Sequence, residues 1–374
     1  MKIRAAVLHT MSLPLPYAQS QPMKIESVDL APPGAGEVLV KIRAAGLCHS
    51  DLSTINGDRP RQLPMVLGHE ASGEVVELGA GVTDLKIGDH VVMIFAATCG
   101  HCLPCVEGRP THCEPGQSAN GAGLLMGGIS RLSQNGAKVH HHMGVAAFAE
   151  YTVAHRGSMV KVDSSLPFEE AALFGCAVLT GVGAVVNTAK VNAGSTVAVV
   201  GLGGVGLNSV LGAVLAGARE IIALDIHDDK LLIAKQLGAT AAVNAKDADA
   251  IQQVKDLTKG GVDFAFEMAG SVHAMELAYR ITRRGGTTVT AGLPNPDARW
   301  QMQHVNLTAE ERTIKGSYMG SSIAARDVPR YVSLYQQGKL PVNKLMSERL
   351  KLEDINAGFD RLASGHTVRQ IIIF

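Results

Sequence analysis

The chain has 374 residues, with 34 Lys and Arg against 34 Asp and Glu, so its formal net charge is zero. A balanced chain has no electrostatic footprint for nucleic acid or an anionic membrane, and neither is expected as a partner. Charged residues make up 18% of the chain and hydrophobic residues 46%, which excludes a disordered protein. At about 150 residues per domain, the length predicts two to three domains.

Two uncharged stretches, 171–189 and 196–218, are long enough to suggest membrane spans. Glycines and polar residues interrupt both, and the second is better explained as a buried strand, a glycine turn and a helix. The N-terminal segment MKIRAAVLHT has neither a sustained apolar run nor a small-residue cleavage site. A cytoplasmic protein without a membrane segment is therefore expected.

The first 150 residues contain short predicted strands with turn signals between them, among them EVLVKIRAAG, GEVVEL, DHVVMIF and AEYTVA. Such a run without intervening helices is typical of a mainly β domain. The C-terminal segment ends in another apolar strand, VRQIIIF, which is expected to return to this first domain. The predicted boundaries are 1–178 for a catalytic domain with a zinc lobe at 95–115, 179–318 for a coenzyme domain, and 319–374 for the returning segment.

Four of the six cysteines, Cys99, Cys102, Cys105 and Cys113, form the pattern C-x2-C-x2-C-x7-C. Four thiolates complete a tetrahedral zinc site and leave no open position, which is typical of a structural site. In a cytosolic chain this spacing favours a metal over disulfides. An iron–sulfur cluster is the weaker alternative, because the fourth gap fits neither common ferredoxin pattern.

Cys48 and Cys176 lie outside this pattern, in GLCHSD and ALFGCAVLTG. Taken alone, each is typical of an ordinary buried cysteine. Together with His69 they would supply two thiolates and one imidazole, a ligand set that leaves one zinc position open for water or substrate. Distance along the chain does not show that the three residues meet, so the sequence supports a catalytic zinc through ligand chemistry alone.

From Ser195 onwards the pattern changes to alternating strands and helices. The apolar run TVAVV is typical of a central parallel strand, and a glycine-rich turn and a helical run follow it directly. Glycines in such a turn let backbone N–H groups and the helix N-terminus face a pyrophosphate. The residues predicted to bind a dinucleotide here are Gly201, Gly203, Gly204, Val205 and Gly206.

A second strand, EIIALD, ends at Asp225. A carboxylate at this position accepts hydrogen bonds from the adenosine ribose and favours NAD over NADP, whose 2′-phosphate it would repel. Further helices are predicted at 228–238, 248–259 and 272–283, and further strands at 239–245, 262–270, 285–294 and 311–320. Six strands are the number in the dinucleotide-binding sheet. A doubly wound domain that binds another nucleotide, or none, is the alternative.

Several motifs together resemble the zinc-containing medium-chain alcohol dehydrogenases, close to the liver-type and glutathione-dependent formaldehyde dehydrogenase branch. They occur in the family's order along almost the whole chain: GLCHSD, GHEASGEVVELGAGV, the cysteine lobe, FGCAVLTG, GLGGVG, IIALDIHDDK and GHTVRQIIIF. The resemblance implies an α/β protein with a six-stranded Rossmann coenzyme domain and a mainly β, GroES-like catalytic domain. It also implies two Zn2+ per subunit, NAD, and reversible oxidation of an alcohol to an aldehyde or ketone.

The resemblance also implies roles for single residues. The catalytic zinc ligands are matched by Cys48, His69 and Cys176, and the structural ligands by Cys99, Cys102, Cys105 and Cys113. Ser50 matches the hydroxyl that takes the proton from the alcohol, and Asp51 the carboxylate that orients the ligand histidine. Glu70 matches a carboxylate beneath the zinc, and Phe95 a wall of the substrate pocket. Coenzyme contacts are matched by His49 and Arg369 at the pyrophosphate and by Lys230 at a ribose.

Two positions depart from the family pattern. Family members often end the proton relay with a histidine three residues after the Ser50 position, where this chain has Ser53, so the proton would leave through water or His49. Glutathione-dependent formaldehyde dehydrogenases have an arginine four residues after the last structural cysteine, where this chain has the uncharged Gln117. An alcohol dehydrogenase is therefore the leading prediction, and a glutathione-dependent formaldehyde dehydrogenase is the alternative.

The segment 115–143 resembles the longer insertion of dimeric family members, so a homodimer is expected. Within it, the consecutive residues His140, His141 and His142 suggest a further metal site. Neighbouring residues of an extended chain point to opposite faces, so a surface loop with one histidine toward the pocket is the preferred interpretation.

Two other classes of protein account for parts of the sequence. A nucleotide-binding protein without activity would keep the glycine motif, but the intact set of Cys48, His69, Cys176 and Ser50 argues against it. A zinc-finger regulator would keep the cysteine lobe, but the neutral charge and the lack of a basic helix beside the lobe argue against nucleic-acid binding.

Overall fold

The computed structural model describes all residues from Met1 to Phe374 and divides into two compact units. The first consists of residues 1–176, 323–332 and 346–374, and the second of residues 177–322 and 333–345. By this division residues 319–322 and 333–345 belong to the second unit and not to the returning segment, and residues 177–178 belong to the second unit and not to the catalytic domain. The short helix Val342–Leu345 contacts the helix at 204–215, with Val342 and Leu345 buried.

The secondary structure consists of short strands and helices along the whole chain. The strands are β1 (Lys2–Leu8), β2 (Met23–Leu30), β3 (Glu37–Gly46), β4 (Met65–Val66), β5 (Ala71–Leu78), β6 (His90–Met93), β7 (Leu132–Gln134), β8 (Ala137–His141), β9 (Tyr151–His155), β10 (Met159–Val162), β11 (Thr196–Val200), β12 (Glu220–Asp225), β13 (Ala241–Asn244), β14 (Val262–Glu267), β15 (Thr282–Thr290), β16 (Thr313–Gly316), β17 (Met346–Leu350) and β18 (Arg369–Ile373).

The α-helices are α1 (Tyr17–Ser20), α2 (His49–Ile55), α3 (Leu103–Val106), α4 (Glu114–Ala122), α5 (Phe168–Ala172), α6 (Ala177–Gly183), α7 (Gly204–Leu215), α8 (Asp228–Gln236), α9 (Ala250–Thr258), α10 (Val272–Ile281), α11 (His304–Ala309), α12 (Ala324–Gln336) and α13 (Ile355–Ala363). Single turns of 3-10 helix occupy Pro110–His112, His142–Gly144, Arg156–Ser158, Leu173–Gly175, Met319–Ser321, Val342–Leu345 and Leu352–Asp354, and a π-helical stretch occupies Ala184–Ala189.

The first unit contains a closed barrel and a mixed sheet. The barrel has the strand order β1-β2-β7-β8-β4, and its apolar interior includes Val7, Val28 and Val139. The sheet has the order β10-β6-β5-β3-β18-β17, and β9 also pairs with β3. β18 runs antiparallel to β3 with Ile371 opposite Gly46, so the C-terminal strand lies beside the strand that leads to Cys48.

The second unit contains a parallel sheet in the order β13-β12-β11-β14-β15-β16. Renumbered from its first strand, this is the order 3-2-1-4-5-6 of the dinucleotide-binding fold, which confirms the six predicted strands. All five residues of β11 are buried, as expected for a central strand of a parallel sheet that is covered on both faces. The predicted Rossmann architecture is thus present.

Two expectations from the sequence are wrong in detail. The helix predicted at 272–283 ends at Ile281, because Thr282 begins β15 and pairs with Val262 of β14. The three consecutive histidines do not form a surface loop. His140 and His141 belong to β8, which pairs with β7 and β4 in the closed barrel, and this pairing buries the side chains of His141 and His142 completely.

No single helix is long and apolar enough to cross a membrane. The helical pair Phe168–Gly175 and Ala177–Ala189 reaches that length and composition only when its two members are counted together.

Candidate active site

The three predicted catalytic ligands come together in the first unit. Cys48 directly precedes α2, His69 lies between β4 and β5, and Cys176 directly follows the 3-10 helix Leu173–Gly175. All three side chains are buried, and their ligand atoms lie within 4.8 Å of one another. Two thiols and one imidazole at this spacing match a zinc site with one open position.

The carboxylate of Asp51 lies beside the imidazole of His69. In the first turn of α2, its Oδ1 atom lies 3.1 Å from Nδ1 of His69 and accepts a hydrogen bond from the backbone N–H of Gly68 at 3.1 Å. The Nε2 atom of His69 is completely buried and has no hydrogen-bond partner. Because an unpaired buried nitrogen is costly, this atom fits a metal ion, and a carboxylate behind the imidazole is the usual support for such a ligand.

The thiols of Cys48 and Cys176 differ in pKa. A hydrogen bond with Cys176 lowers the pKa of Cys48 well below its ordinary value, and the charges of His69 and Arg369 act in the same direction against the effect of burial. The same hydrogen bond, together with burial, raises the pKa of Cys176. The site therefore stabilises one thiolate, which is the form that binds zinc.

Glu70 and Arg369 form a buried pair beside this centre. Oε1 of Glu70 lies 3.3 Å from Nη1 of Arg369, which also donates a hydrogen bond to the carbonyl oxygen of Leu47 at 3.2 Å. Burial raises the pKa of Glu70 to about 7, although the charge of Arg369 opposes this. Arg369 is only 4% exposed, and the contact with a pyrophosphate that the resemblance implies stays a prediction.

The remaining predicted residues of α2 lie at its start. The side chain of His49 is exposed and that of Ser50 is partly exposed. The hydroxyl of Ser50 makes no hydrogen bond within the chain, whereas the hydroxyl of Ser53 donates to the carbonyl oxygen of His49 at 2.8 Å. Ser50 is therefore free to bind a ligand, while Ser53 is used within its own helix.

Two aromatic rings lie beside His69. Phe95, predicted as a pocket wall, lies edge to face with His69 at 5.5 Å between ring centroids. His142 lies at 5.6 Å in a similar arrangement, and its Nδ1 atom is 3.0 Å from Oδ1 of Asp51. The pairing of β8 with β4, which no local pattern shows, brings His142 beside His69 and Asp51.

The four cysteines of the lobe also come together, with their Sγ atoms within 4.8 Å of one another. Cys105 lies on α3, and the Sγ atoms of Cys99 and Cys113 accept hydrogen bonds from backbone N–H groups at 3.3 and 3.2 Å. Burial raises the pKa of Cys99, but backbone N–H groups and the neighbouring thiols outweigh it and lower that pKa to about 7. None of the six cysteines forms a disulfide, so the donor set fits a structural zinc.

The glycine turn after β11 fits a dinucleotide. A Cβ atom on Gly203 would meet no other atom within 4 Å, so the backbone there is open to a ligand. A Cβ atom on Gly206 would collide with the carbonyl oxygen of Gly201, which explains the need for glycine where α7 packs on the turn. The carboxylate of Asp225 lies beside the turn and accepts hydrogen bonds from the N–H groups of Leu202 at 2.6 Å and His227 at 3.0 Å. Lys230 is buried on α8.

Comparison with known proteins identifies the family of this chain. The family model described as the alcohol dehydrogenase GroES-like domain matches residues 34–164, and the one described as zinc-binding dehydrogenase matches residues 204–337. The chain is 40% identical to an S-(hydroxymethyl)glutathione dehydrogenase of Synechocystis sp., with 100% of both chains covered. It is 38% identical to one from Paracoccus denitrificans, covering 95% of this chain and 97% of the relative.

A solved structure shows the same fold. The benzyl alcohol dehydrogenase of Acinetobacter calcoaceticus superimposes with a TM-score of 0.93 at 34% identity, covering 100% of this chain and 99% of the other. The chain is an NAD-dependent oxidoreductase with zinc and NAD as its cofactors. It belongs to the zinc-containing medium-chain alcohol dehydrogenases, in the branch that resembles glutathione-dependent formaldehyde dehydrogenase.

Proposed function

We propose that this enzyme oxidises the hydroxyl group of a small alcohol to an aldehyde or ketone with NAD, at the centre formed by Cys48, His69 and Cys176. The observation that carries the proposal is the buried Nε2 atom of His69, which has no partner within the chain and lies within 4.8 Å of both thiols. The hydroxyl of Ser50, two residues beyond Cys48, is available beside this ligand set.

Cys48, His69 and Cys176 would hold the catalytic zinc. When bound, this metal supplies a Lewis acid that makes an alcohol hydroxyl easier to deprotonate and a carbonyl easier to reduce, and NAD supplies the hydride acceptor. Asp51 keeps the imidazole of His69 in the tautomer whose Nε2 faces the thiols. Burial and the negative charge of Cys48 raise the pKa of Glu70, and the positive charge of Arg369 opposes both effects.

Ser50 is the group that would relay the proton of the alcohol, because its hydroxyl can accept that proton while it releases its own. Its hydroxyl has no other partner within the chain, and its position in the first turn of α2 is set by the backbone that also positions Cys48. Ser53 is not a base, and its hydroxyl already donates to the backbone of His49. His49, exposed at the same end of the helix, is the imidazole that can pass the proton on to solvent.

The hydroxymethyl adduct of glutathione is a second candidate substrate. The names of the two relatives at 40% and 38% identity support it more than they support an unmodified alcohol. Gln117 counts against it, because glutathione-dependent members of the family have an arginine at this position. The amide of Gln117 donates to the carbonyl oxygen of Thr111 at 3.2 Å and carries no charge for a carboxylate.

A panel of substrates distinguishes the two candidates. The purified enzyme with zinc is given ethanol, benzyl alcohol and formaldehyde, each with NAD and each with and without glutathione, and NADH absorbance is followed. Oxidation of simple or aromatic alcohols without glutathione supports the first candidate. Turnover of formaldehyde only in the presence of glutathione supports the second, and failure of all substrates to reduce NAD contradicts both.

A further inference from the structure

The buried carboxylate of Asp51 makes its polar contacts through one oxygen. Three nitrogen atoms lie around Oδ1: the backbone N of Gly68 at 3.1 Å, Nδ1 of His69 at 3.1 Å and Nδ1 of His142 at 3.0 Å. The other oxygen, Oδ2, is completely buried and has no hydrogen-bond partner. Because no polar contact at Oδ2 fixes the rotation of the carboxylate, the contacts at Oδ1 have to hold it in the orientation that faces His69.

His142 is the second imidazole on this oxygen. Its side chain is completely buried, and its ring lies edge to face with that of His69, with 5.6 Å between the ring centroids and 85° between the ring planes. A ring nitrogen that faces a carboxylate carries the proton of the imidazole, so Nδ1 of His142 is a donor toward Asp51. The other nitrogen, Nε2, has no partner, so the contact with Asp51 is the polar contact that this ring makes within the chain.

The backbone around His142 is fixed by the strand before it and by a helix packed against it. β8 pairs with β7 and β4, and the turn His142–Gly144 follows β8 directly. Within this turn Met143 has φ 50° and ψ 33°, a left-handed conformation that is uncommon for residues other than glycine. α4 packs against the same turn, where a Cβ atom on Gly144 would lie 3.2 Å from Oδ1 of Asn120. Backbone held in such a conformation by its surroundings is frequent at functional sites, and here it carries the imidazole that faces the carboxylate.

We propose that His142 is a positioning residue of the catalytic metal site, which acts through Asp51 on His69. Its Nδ1 holds the carboxylate in the rotation in which Oδ1 also accepts from Nδ1 of His69, and this leaves Nε2 of His69 for the metal. Loss of a partner behind a metal ligand typically weakens metal binding by about 10- to 100-fold. The inference rests on the proposed function and adds to the same centre a residue that is not itself a ligand.

Three substitutions separate the nitrogen atom from the ring. His142→Phe keeps a ring beside His69 and removes the donor to Asp51. His142→Asn removes the ring and keeps an N–H donor close to the position of Nδ1. His142→Gln also removes the donor from that position but keeps a polar side chain, so it replaces His142→Phe if the buried phenylalanine prevents folding. The control is His140→Phe, which removes a half-buried histidine of β8 that makes no hydrogen bond or ion pair with Asp51.

Binding of zinc alone to the metal-free chain is measured by competition with a chromophoric chelator, and Tm shows whether each variant is folded. The binding step that Cys176→Ser removes is that of the catalytic site, and the other step belongs to the cysteine lobe. We expect His142→Phe and His142→Gln to weaken the catalytic step by about tenfold and to leave the lobe step unchanged. His142→Asn and His140→Phe should keep the wild-type affinity at both steps.

A double variant tests whether His142 acts through Asp51. Asp51→Ala removes the carboxylate, so the contact with His142 no longer exists in this background. Adding His142→Phe to Asp51→Ala should therefore cause no further loss of zinc affinity. If His142 acted independently of Asp51, the losses of the two single variants would add.

An unchanged catalytic step in His142→Phe and His142→Gln, or an equal loss in His140→Phe, overturns the proposal. A loss in His142→Asn with none in His142→Phe assigns the effect to packing of the ring and overturns it as well, as do additive losses in the double variant. In these cases oxidation of an alcohol with NAD by the wild type leaves the proposed function intact. If Cys176→Ser removes no binding step, no zinc is bound at this centre, and the proposed function fails together with the inference.

Discussion

At the scale of single residues, Asp51 contacts several groups of the candidate site through one carboxylate oxygen. One oxygen of its carboxylate lies 3.1 Å from His69 Nδ1 and 3.0 Å from His142 Nδ1, and it accepts a hydrogen bond from Gly68 N. Burial alone would raise the pKa of this carboxyl, but the charge of His69 and hydrogen bonds from both imidazoles outweigh burial and lower it. Asp51 thus stays ionised and holds both imidazoles in place.

We expect Asp51→Asn to weaken binding of the catalytic zinc by about 10- to 100-fold, because an amide holds the imidazole of His69 less firmly than a carboxylate. The affinity is measured by competition with a chromophoric chelator. Asp58→Asn, an exposed acidic residue beyond the same helix, is the control and should leave the affinity unchanged. Equal zinc affinity in wild type and Asp51→Asn would contradict the orienting role.

Ser50 is expected to matter for proton transfer and not for metal binding. Ser50→Ala should lower kcat by about 100-fold or more near neutral pH, as loss of a positioned proton acceptor does, while zinc content stays unchanged. Ser50→Thr restores a hydroxyl and should recover most of the activity. Steady-state kinetics with benzyl alcohol measure both, and an alanine variant with wild-type kcat would rule out this role.

At the scale of elements, the cysteine lobe contains a helix that buries little apolar surface. Its helix α3 has no buried residue, and the side chains of Leu103 and Val106 are 64% and 66% exposed. An element with so little buried apolar surface depends on a crosslink for its conformation, and a structural metal provides one.

Cys105→Ser should therefore lose the zinc of the lobe and keep the catalytic zinc. Cys176→Ser should lose the catalytic zinc and keep the zinc of the lobe. Zinc per chain, measured by elemental analysis, is expected to fall from two to one in both variants. Cys105→Ser should also lower Tm and make the segment 99–113 sensitive to proteases. Two zinc ions in Cys105→Ser would show that the lobe does not bind metal through this residue.

In the parallel sheet, Asp263 on β14 joins two neighbouring strands. Its Oδ2 atom accepts hydrogen bonds from the backbone N–H and the hydroxyl of Thr196 on β11, at 2.7 and 2.8 Å, and its Oδ1 atom accepts one from Arg283 on β15 at 2.7 Å. Burial raises the pKa of Asp263, but these hydrogen bonds and the charge of Arg283 outweigh it and lower that pKa. The ionised carboxylate therefore stabilises the sheet.

Asp263→Asn should lower the free energy of unfolding by about 2 kcal/mol at pH 7 and lower Tm by about 4–8 °C. The pKa of Asp263 is lower in the folded than in the unfolded state, so the carboxylate contributes fully to stability above the unfolded-state pKa of about 4. This contribution is lost as the pH falls through the folded-state pKa. The difference in Tm between wild type and variant should thus shrink below about pH 4. A difference that is constant between pH 7 and pH 3 would exclude the ionised carboxylate as its cause.

At the scale of the whole molecule, β16 is the open edge of the six-stranded sheet, and three of its four residues are exposed. The N–H of Ser317 donates to Thr290 of β15, so the N–H of the neighbouring Gly316 points away from the sheet. An unpaired edge strand is a template for another strand, and a two-fold axis would pair β16 with its copy.

We therefore expect a homodimer, with a mass by light scattering of twice the 39.2 kDa of one chain. Gly316→Pro removes only the outward N–H, which proline tolerates on an edge strand, and should shift the equilibrium to the monomer. Gly316→Ala, whose Cβ would meet no atom within 4 Å, is the control and should remain dimeric. A monomeric wild type, or a dimeric Gly316→Pro, would contradict pairing through this edge.

Much of the fold could be predicted because its signals are local. Gly201, Gly203 and Gly206, where a strand turns into a helix, define a dinucleotide turn whatever surrounds it, and Asp225 follows at the end of the next strand. The spacing of Cys99, Cys102, Cys105 and Cys113 likewise predicts a metal lobe, since two-residue gaps limit where the thiols can lie. In these cases the backbone within a few residues decides the geometry.

The sequence by itself determined the ligand types, the coenzyme motif and the family. Only the tertiary structure decided which distant residues meet. Cys48, His69 and Cys176 lie far apart along the chain, and the packing of β3, β5 and the 3-10 helix before Cys176 brings them together. The closure of the barrel by β8 buries His142 next to Asp51. Such contacts depend on strand pairing over long sequence distances, for which no local pattern carries a signal.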